Sequence, residues 1–373
     1  MSSSLEHLAS LFTKTSVSAT SDMTTSHPNQ FRAAQFTKEG GRLEIKTVQW
    51  RDPREGEVVI RTHACGISST DNITRHNLMR DVSFPCGPGN VVEGEIVACG
   101  KLGRHEGRLK QGMRVCAVLP YHGLQEYATV EADQCCEIKR KMDPLECLVA
   151  AFDGARVHAS LRRFEREEKQ MDEHERRRRD EMNDRMGMKG EGVHCCYGEG
   201  GYARLALEIL KNAGRSERIM LIAPNDRWSA KDYGIDERNM LVCGKHNLQD
   251  ELRKRGGARC IIATDQPEQR GLDDMLNGMR YGADLVLLNP RKNARLELSL
   301  ANIIAKHIGL RGCPLLSAHQ IDECLAFCDE HRVADKIKCE RFRFDEGGVN
   351  DAWASMDERR KFDKPVVVFQ QQQ

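Results

Sequence analysis

Val193-His194-Cys195-Cys196-Tyr197-Gly198-Glu199-Gly200-Gly201-Tyr202-Ala203 joins an apolar run to a glycine turn and the start of an amphipathic stretch, Ala203–Asn212. The pattern G-x-G-G-x-A between a strand and a helix carries a mechanism. Gly198 permits the tight turn, Gly200 and Gly201 let the backbone approach a pyrophosphate, and Ala203 allows close packing of helix on sheet. The helix N-terminus then offers free N–H groups to phosphate oxygens. These residues are therefore the candidate binding site for a dinucleotide, against the plainer reading of an ordinary strand–helix turn.

Downstream, short apolar runs alternate with helical stretches. Arg218–Ala223, Cys260–Ala263 and Asp284–Leu288 read as strands, and 318–331 reads as a helix. Strands spaced by helices imply a parallel sheet. The acid that accepts the ribose hydroxyls is expected at the end of the second strand. Pro224 stands there, followed by Asn225, Asp226 and Arg227. Arg227 either meets the 2′-phosphate of NADP or is a solvated loop side chain, so NADP(H) and NAD(H) both stay open.

Upstream, residues 31–160 are β-rich, with strand signals at Arg42–Val48, Glu57–His63, Val91–Ala98 and Arg114–Leu119 separated by Gly-rich turns, as in a small barrel. Between the two regions, 161–186 carries 9 basic and 9 acidic residues, among them Arg176-Arg177-Arg178-Arg179. Its neutrality predicts a solvated helix rather than a nucleic-acid contact. Residues 1–30 are Ser/Thr-rich. No Arg precedes Arg32, and Glu6 and Asp22 are acidic, so a disordered tail is expected rather than a mitochondrial presequence.

The 373 residues carry 57 Lys and Arg against 56 Asp and Glu, a net charge of +1. That balance argues against a whole-protein attraction to nucleic acid or anionic membrane. No apolar run approaches the ~18–20 residues a membrane helix needs. Fifteen cysteines with no CxxC fit a reducing, cytoplasmic compartment and argue against a four-cysteine structural zinc site.

The ordered series of motifs resembles the medium-chain dehydrogenase/reductase superfamily on its alcohol dehydrogenase side, over about residues 31–369. The matching stretches are Gly56–Arg61, His63-Ala64-Cys65-Gly66-Ile67 with Asp71, Phe84–Gly89, Glu93–Val97, Gly112–Val115, Gly198–Ala203, Tyr281–Leu288, Leu310–Gly312 and Val366–Phe369. The resemblance implies an α/β fold: a GroES-like β-barrel catalytic domain (31–160), a charged helical insertion (161–190), a Rossmann doubly wound parallel-sheet domain (191–315), and a C-terminal segment (316–373) returning to the first lobe. It also implies a small-molecule substrate in the cleft between lobes and a homodimer or homotetramer.

The family's zinc ligands are a second Cys, a His and a third group. Here the first two positions hold Ser68 and Asn90, and the third falls near Phe152 or Asp153. Ser and Asn supply neither thiolate, imidazole nor carboxylate, so no metal site is expected. Cys65, Cys86, His63 and His122 lack the spacing of replacement ligands. Thr70 takes the place of the family's proton-relaying hydroxyl, and the relay histidine position is Ile73. The expected activity is zinc-independent hydride transfer between NAD(P)(H) and a carbonyl, alcohol or enone, with Thr70, Ser68 and Asn90 orienting and polarising the oxygen. The alternative is a non-catalytic relative with an interaction or regulatory role.

Overall fold

The computed structural model describes residues 27–78, 82–138, 142–215, 218–289, 295–313, 316–358 and 364–369. Most of the expected N-terminal tail lies outside them, and Gln30 already belongs to the first strand. β1 (Gln30–Phe36) and β2 (Leu43–Gln49) form an antiparallel pair. β3 (Glu57–Gly66), β4 (Val91–Cys99), β5 (Arg114–Val118), β6 (Tyr127–Glu131) and β7 (Cys135–Glu137) build the curved sheet of the first lobe.

The second lobe holds β8 (Val193–Tyr197), β9 (Ile219–Ala223), β10 (Met240–Val242), β11 (Ala258–Ala263), β12 (Met279–Leu287) and β13 (Gly309–Gly312). All pair in parallel, in the order β10-β9-β8-β11-β12-β13. This is the doubly wound order, and its switch point lies between β8 and β11, where such sheets bind ligands. Every residue of β8 and β9 is buried. A strand covered by helices on both faces needs a continuous apolar run, which is what these segments supply.

The chain then returns. β14 (Cys339–Arg343) and β15 (Lys364–Val368) join the first lobe's sheet, with β15 antiparallel to β3 and Val366 opposite Gly66. The Ile67 N–H donates to the carbonyl of Pro365 at 3.3 Å. The last strand therefore delivers Lys364 beside the segment that follows β3.

The charged stretch folds as two helices rather than one. Ala155–Gln170 buries Leu161 and Phe164, so the stretch begins on a packed helix. At Met171 the chain breaks, and Asp172 caps a new helix, Glu173–Arg185, in a reciprocal box with Glu175. Glu168 pairs with both Arg179 and Arg259. Buried Asn183 accepts a hydrogen bond from the Tyr281 N–H at 2.9 Å. Part of this charge is thus spent docking the second helix on the sheet, which corrects the expectation of a purely solvated face.

Candidate functional site

The first wall of the cleft is the turn after β3. Ser68 caps a short turn, Ser69–Asp71: its Oγ accepts from the Thr70 N–H at 3.3 Å, and Asp71 accepts in return from the Ser68 N–H at 2.9 Å. Asp71 is fully buried and also accepts from the Gly89 N–H at 2.7 Å. One carboxylate thus ties the Ser68 turn to the Pro88-Gly89-Asn90 loop. Burial raises its pKa to about 6, against the opposing pull of the N–H groups of Ser68 and Gly89.

The second wall is the glycine turn. Gly198 has φ +150°, and a Cβ there would lie 2.1 Å from Thr264 Oγ1, so only glycine fits between β8 and the end of β11. Gly200 has φ +72° and donates its N–H to the Tyr233 hydroxyl at 3.2 Å. Ala203 is fully buried against the sheet. Glu199 precedes the helix Gly200–Leu210 without capping it through its side chain; its carboxylate instead accepts from Asn225 Nδ2 at 3.0 Å. With the Gly200 N–H on Tyr233, the N–H groups that follow it in the first turn are the ones suited to an anion such as a pyrophosphate. Arg227 is exposed on the loop beyond β9, with its backbone N–H held by Asn225 Oδ1 at 3.0 Å.

These walls face each other. Ser68, Gly200, Gly201, Tyr202, Asn289 and Lys364 line one cavity of about 100 Å³. That is below the ~300–1,000 Å³ of small-molecule sites, and the cavity is partly open to solvent. Lys364 was not legible as a site residue. Its ammonium pairs with Asp153, which is 1% exposed and sits in a π-helical turn, Ala150–Gly154, and it lies 5.6 Å from the centre of the Tyr202 ring. Burial lowers its pKa to about 8, with Asp71 opposing the shift.

The three positions that the family uses for zinc do not fit the metal here. The Ser68 hydroxyl is engaged in its cap, the Asn90 amide donates to the carbonyls of Leu119 and Pro120, and Asp153 holds Lys364. Asn90 Oδ1 is buried without a hydrogen-bond partner. Asn90 therefore anchors the 119–120 loop through its nitrogen. Cys65 donates to the carbonyl of Gly66 with its thiol pKa pushed well up by burial, Cys86 lies 3.7 Å from His122, and His63 faces Glu93. Among the described residues no group of three or more His, Cys, Asp or Glu could hold a metal ion.

A second residue missed in the sequence is Arg156, 6% exposed in the first turn of Ala155–Gln170. Its guanidinium donates to Thr70 Oγ1 at 3.0 Å, to Asn289 Oδ1 at 3.3 Å and to the carbonyl of Leu288, and so spans both lobes. The available signal was a lone Arg inside the small-residue run Ala150-Ala151-Phe152-Asp153-Gly154-Ala155-Arg156-Val157.

A doubly wound parallel sheet facing a second, curved sheet across one cleft makes a two-lobed α/β architecture. Residues 54–140 match the alcohol dehydrogenase GroES-like domain. Over 361 residues the chain is 21% identical to the alcohol dehydrogenase patD of Penicillium expansum, covering 90% of this chain and 97% of that protein. The fold superposes on a short-chain alcohol dehydrogenase of E. coli CFT073 complexed with NADH, at a TM-score of 0.67 and 17% identity, covering 92% and 100% of the two chains. It also superposes on TarJ of S. aureus in complex with NADPH, at 0.69 and 15%, covering 91% and 99%. The chain thus carries an alcohol dehydrogenase GroES-like domain over residues 54–140 and is similar along most of its length to an alcohol dehydrogenase.

Proposed function

We propose that the protein is a zinc-independent oxidoreductase that uses NADPH or NADH to reduce a carbonyl or conjugated enone. The observation that carries this reading is the cleft itself, where the glycine turn, the Ser68 turn and Lys364 share one cavity. Gly198, Gly200, Gly201 and Ala203 would hold the dinucleotide, with Arg227 at a 2′-phosphate. The nicotinamide supplies hydride when bound. Thr70 orients the substrate oxygen, Ser68 holds the Thr70 backbone in place, and Asn90 supports the turn through its loop. The Lys364 ammonium places positive charge where negative charge develops on that oxygen, the role a metal has in zinc relatives.

Calorimetry with NADH and NADPH side by side tests the reading. Binding of at least one is expected, and Gly200→Asp is expected to abolish it by adding a side chain and a negative charge at φ +72°. Absence of binding to either coenzyme removes the proposal. Arg227→Ala is expected to weaken NADPH about tenfold and leave NADH unchanged if Arg227 meets the 2′-phosphate (one charge-assisted contact). A non-catalytic role is the second reading, favoured by Arg156 spanning a narrow cleft. Turnover across an aldehyde, ketone and enone panel that is lost in Gly200→Asp would exclude it.

For assembly, we propose a homodimer or homotetramer through the free edge of β13. Leu310 is 40% exposed on that strand, and Leu300 and Ile304 are 70% and 76% exposed on the helix Leu300–Lys306 that leads into it. Ile304→Glu is expected to shift the light-scattering mass toward one chain. An unchanged mass would place the interface elsewhere.

A further inference from the structure

Lys364 lines the cleft and Arg156 lies behind it, bonded to the lining residue Asn289, but only one of the two cations is neutralised. Lys364 has Asp153. Arg156 donates to a hydroxyl, a side-chain amide oxygen and a main-chain carbonyl, all neutral, with the Phe152 ring 5.3 Å away. Among the described residues no carboxylate pairs with it. A guanidinium taken out of water without a counter-charge is destabilising. Two other buried cations also bond neutral oxygens, and each has a structural reason. Lys306 binds the carbonyls of Leu276 and Asn277 at the end of the helix Gln269–Gly278, and Arg280 binds those of Gly190 and Gly256 between loops. Arg156 instead bonds one side chain from each lobe, Thr70 next to the cleft-lining Ser68-Ser69 and Asn289 in the lining itself.

We infer that the substrate is a 2-oxo acid or close analogue, and that Arg156 holds its carboxylate. The inference rests on the oxidoreductase reading and names its substrate class. The guanidinium is a planar fork that matches a carboxylate in two parallel bonds. Its NH1 partners, Thr70 Oγ1 and Asn289 Oδ1, are side-chain atoms that can turn to other partners. The NH2 bond to the Leu288 carbonyl can persist, so no main-chain group is orphaned. Thr70 Oγ1 lies 3.0 Å from NH1, so an oxygen seated on that hydroxyl has the guanidinium as its neighbour. In a 2-oxo acid the carbonyl and carboxylate oxygens sit on adjacent carbons, close enough for Thr70 to take one and Arg156 the other. A neutral ketone leaves Arg156 uncompensated.

The test is calorimetry with oxamate, an inert 2-oxo acid mimic, and with oxamide, its neutral counterpart. Both are titrated into NADPH-loaded and into coenzyme-free protein, as wild type, Arg156→Gln and Arg156→Lys. Oxamate is expected to bind the wild type more tightly than oxamide. Arg156→Gln is expected to weaken oxamate by about 30- to 4,000-fold, the range for breaking a buried charge pair, and to leave oxamide unchanged. Arg156→Lys keeps the charge but loses the fork, so it should fall between, and it guards against a variant that does not fold. In turnover, kcat/KM for pyruvate and phenylpyruvate should exceed that for their methyl esters only when Arg156 is present.

Equal binding of oxamate and oxamide overturns the inference, as does an oxamate affinity indifferent to Arg156→Gln. If Arg156→Gln instead tightens NADPH and leaves oxamate unaffected, Arg156 blocks the coenzyme's place and the inference is wrong. If the wild type binds neither NADH nor NADPH, the oxidoreductase reading fails. The coenzyme-free oxamate titration then still decides whether Arg156 is a carboxylate site.

Discussion

Lys364→Met is expected to lower kcat for carbonyl reduction by about 10²–10³-fold, the loss typical of removing one preorganised group that stabilises developing negative charge. The ammonium is held from two sides, by Asp153 and by the Tyr202 ring at 5.6 Å, in a partly open cleft where the Lys364 side chain is 18% exposed. A fixed charge in such a place acts more strongly than in bulk solvent. The variant also leaves Asp153 buried and unpaired, which is expected to lower stability by about 3–5 kcal/mol. Adding Asp153→Asn removes that stranded charge, so the double variant should recover stability and not activity.

The pH profile gives an independent reading. Because burial holds Lys364 at about 8, the ammonium is present at neutral pH and is lost as pH rises through that value. The kcat of the wild type should fall on that limb. Lys364→Arg stays charged, so any activity it retains should not fall there. NADPH affinity measured in parallel separates the outcomes. A weaker coenzyme with unchanged kcat would assign Lys364 to the phosphates instead, and a flat profile to pH 9 would show that the ammonium is not used.

Asp71→Ala is the second large effect, and it is structural. The carboxylate accepts from the N–H groups of Ser68 and Gly89, both buried. Each N–H left without a partner destabilises by about 1–3 kcal/mol, so the variant should lose roughly 2–6 kcal/mol in chemical denaturation. A loss below half of that would mean that water reaches the two groups. The charge carries its own sign. Folding raises the Asp71 pKa from 3.8 to about 6, so the folded chain binds more protons than the unfolded chain between those values. That contribution is complete below about pH 4 and is lost as pH rises through about 6. Relative to Asp71→Asn, the wild type should lose stability over that window.

Local patterns were readable where short-range physics decides them. The strand–turn–helix at Val193–Ala203, the apolar runs of β9 and β12 and the helix 318–331 all stand where periodicity and glycine placed them. Ser68 and Thr70 come together because Ser68-Ser69-Thr70-Asp71 is a self-capping turn. The break in the charged block was legible too, in Asp172 followed by Glu175, but the charge count concealed it. Asn90 shows the limit. Its residue type suggested polarisation of a substrate, yet its amide nitrogen is committed to the carbonyls of Leu119 and Pro120.

The sequence alone determined the order of the lobes' elements, the need for glycine at the turn after β8 and the presence of Ser68 and Asn90, which offer neither thiolate nor imidazole. Each of these depends on residue type within a few positions. Tertiary structure alone decided which charges meet. Lys364 and Asp153 are separated by more than two hundred residues, and Arg156 reaches Thr70 and Asn289 from either side of the chain. Antiparallel pairing of β15 with β3 brings the last strand back to the first lobe, and burial in the shared cleft gives these charges their strength. No local pattern encodes a return of that length, so the cations of the site became visible only once the chain had closed on itself.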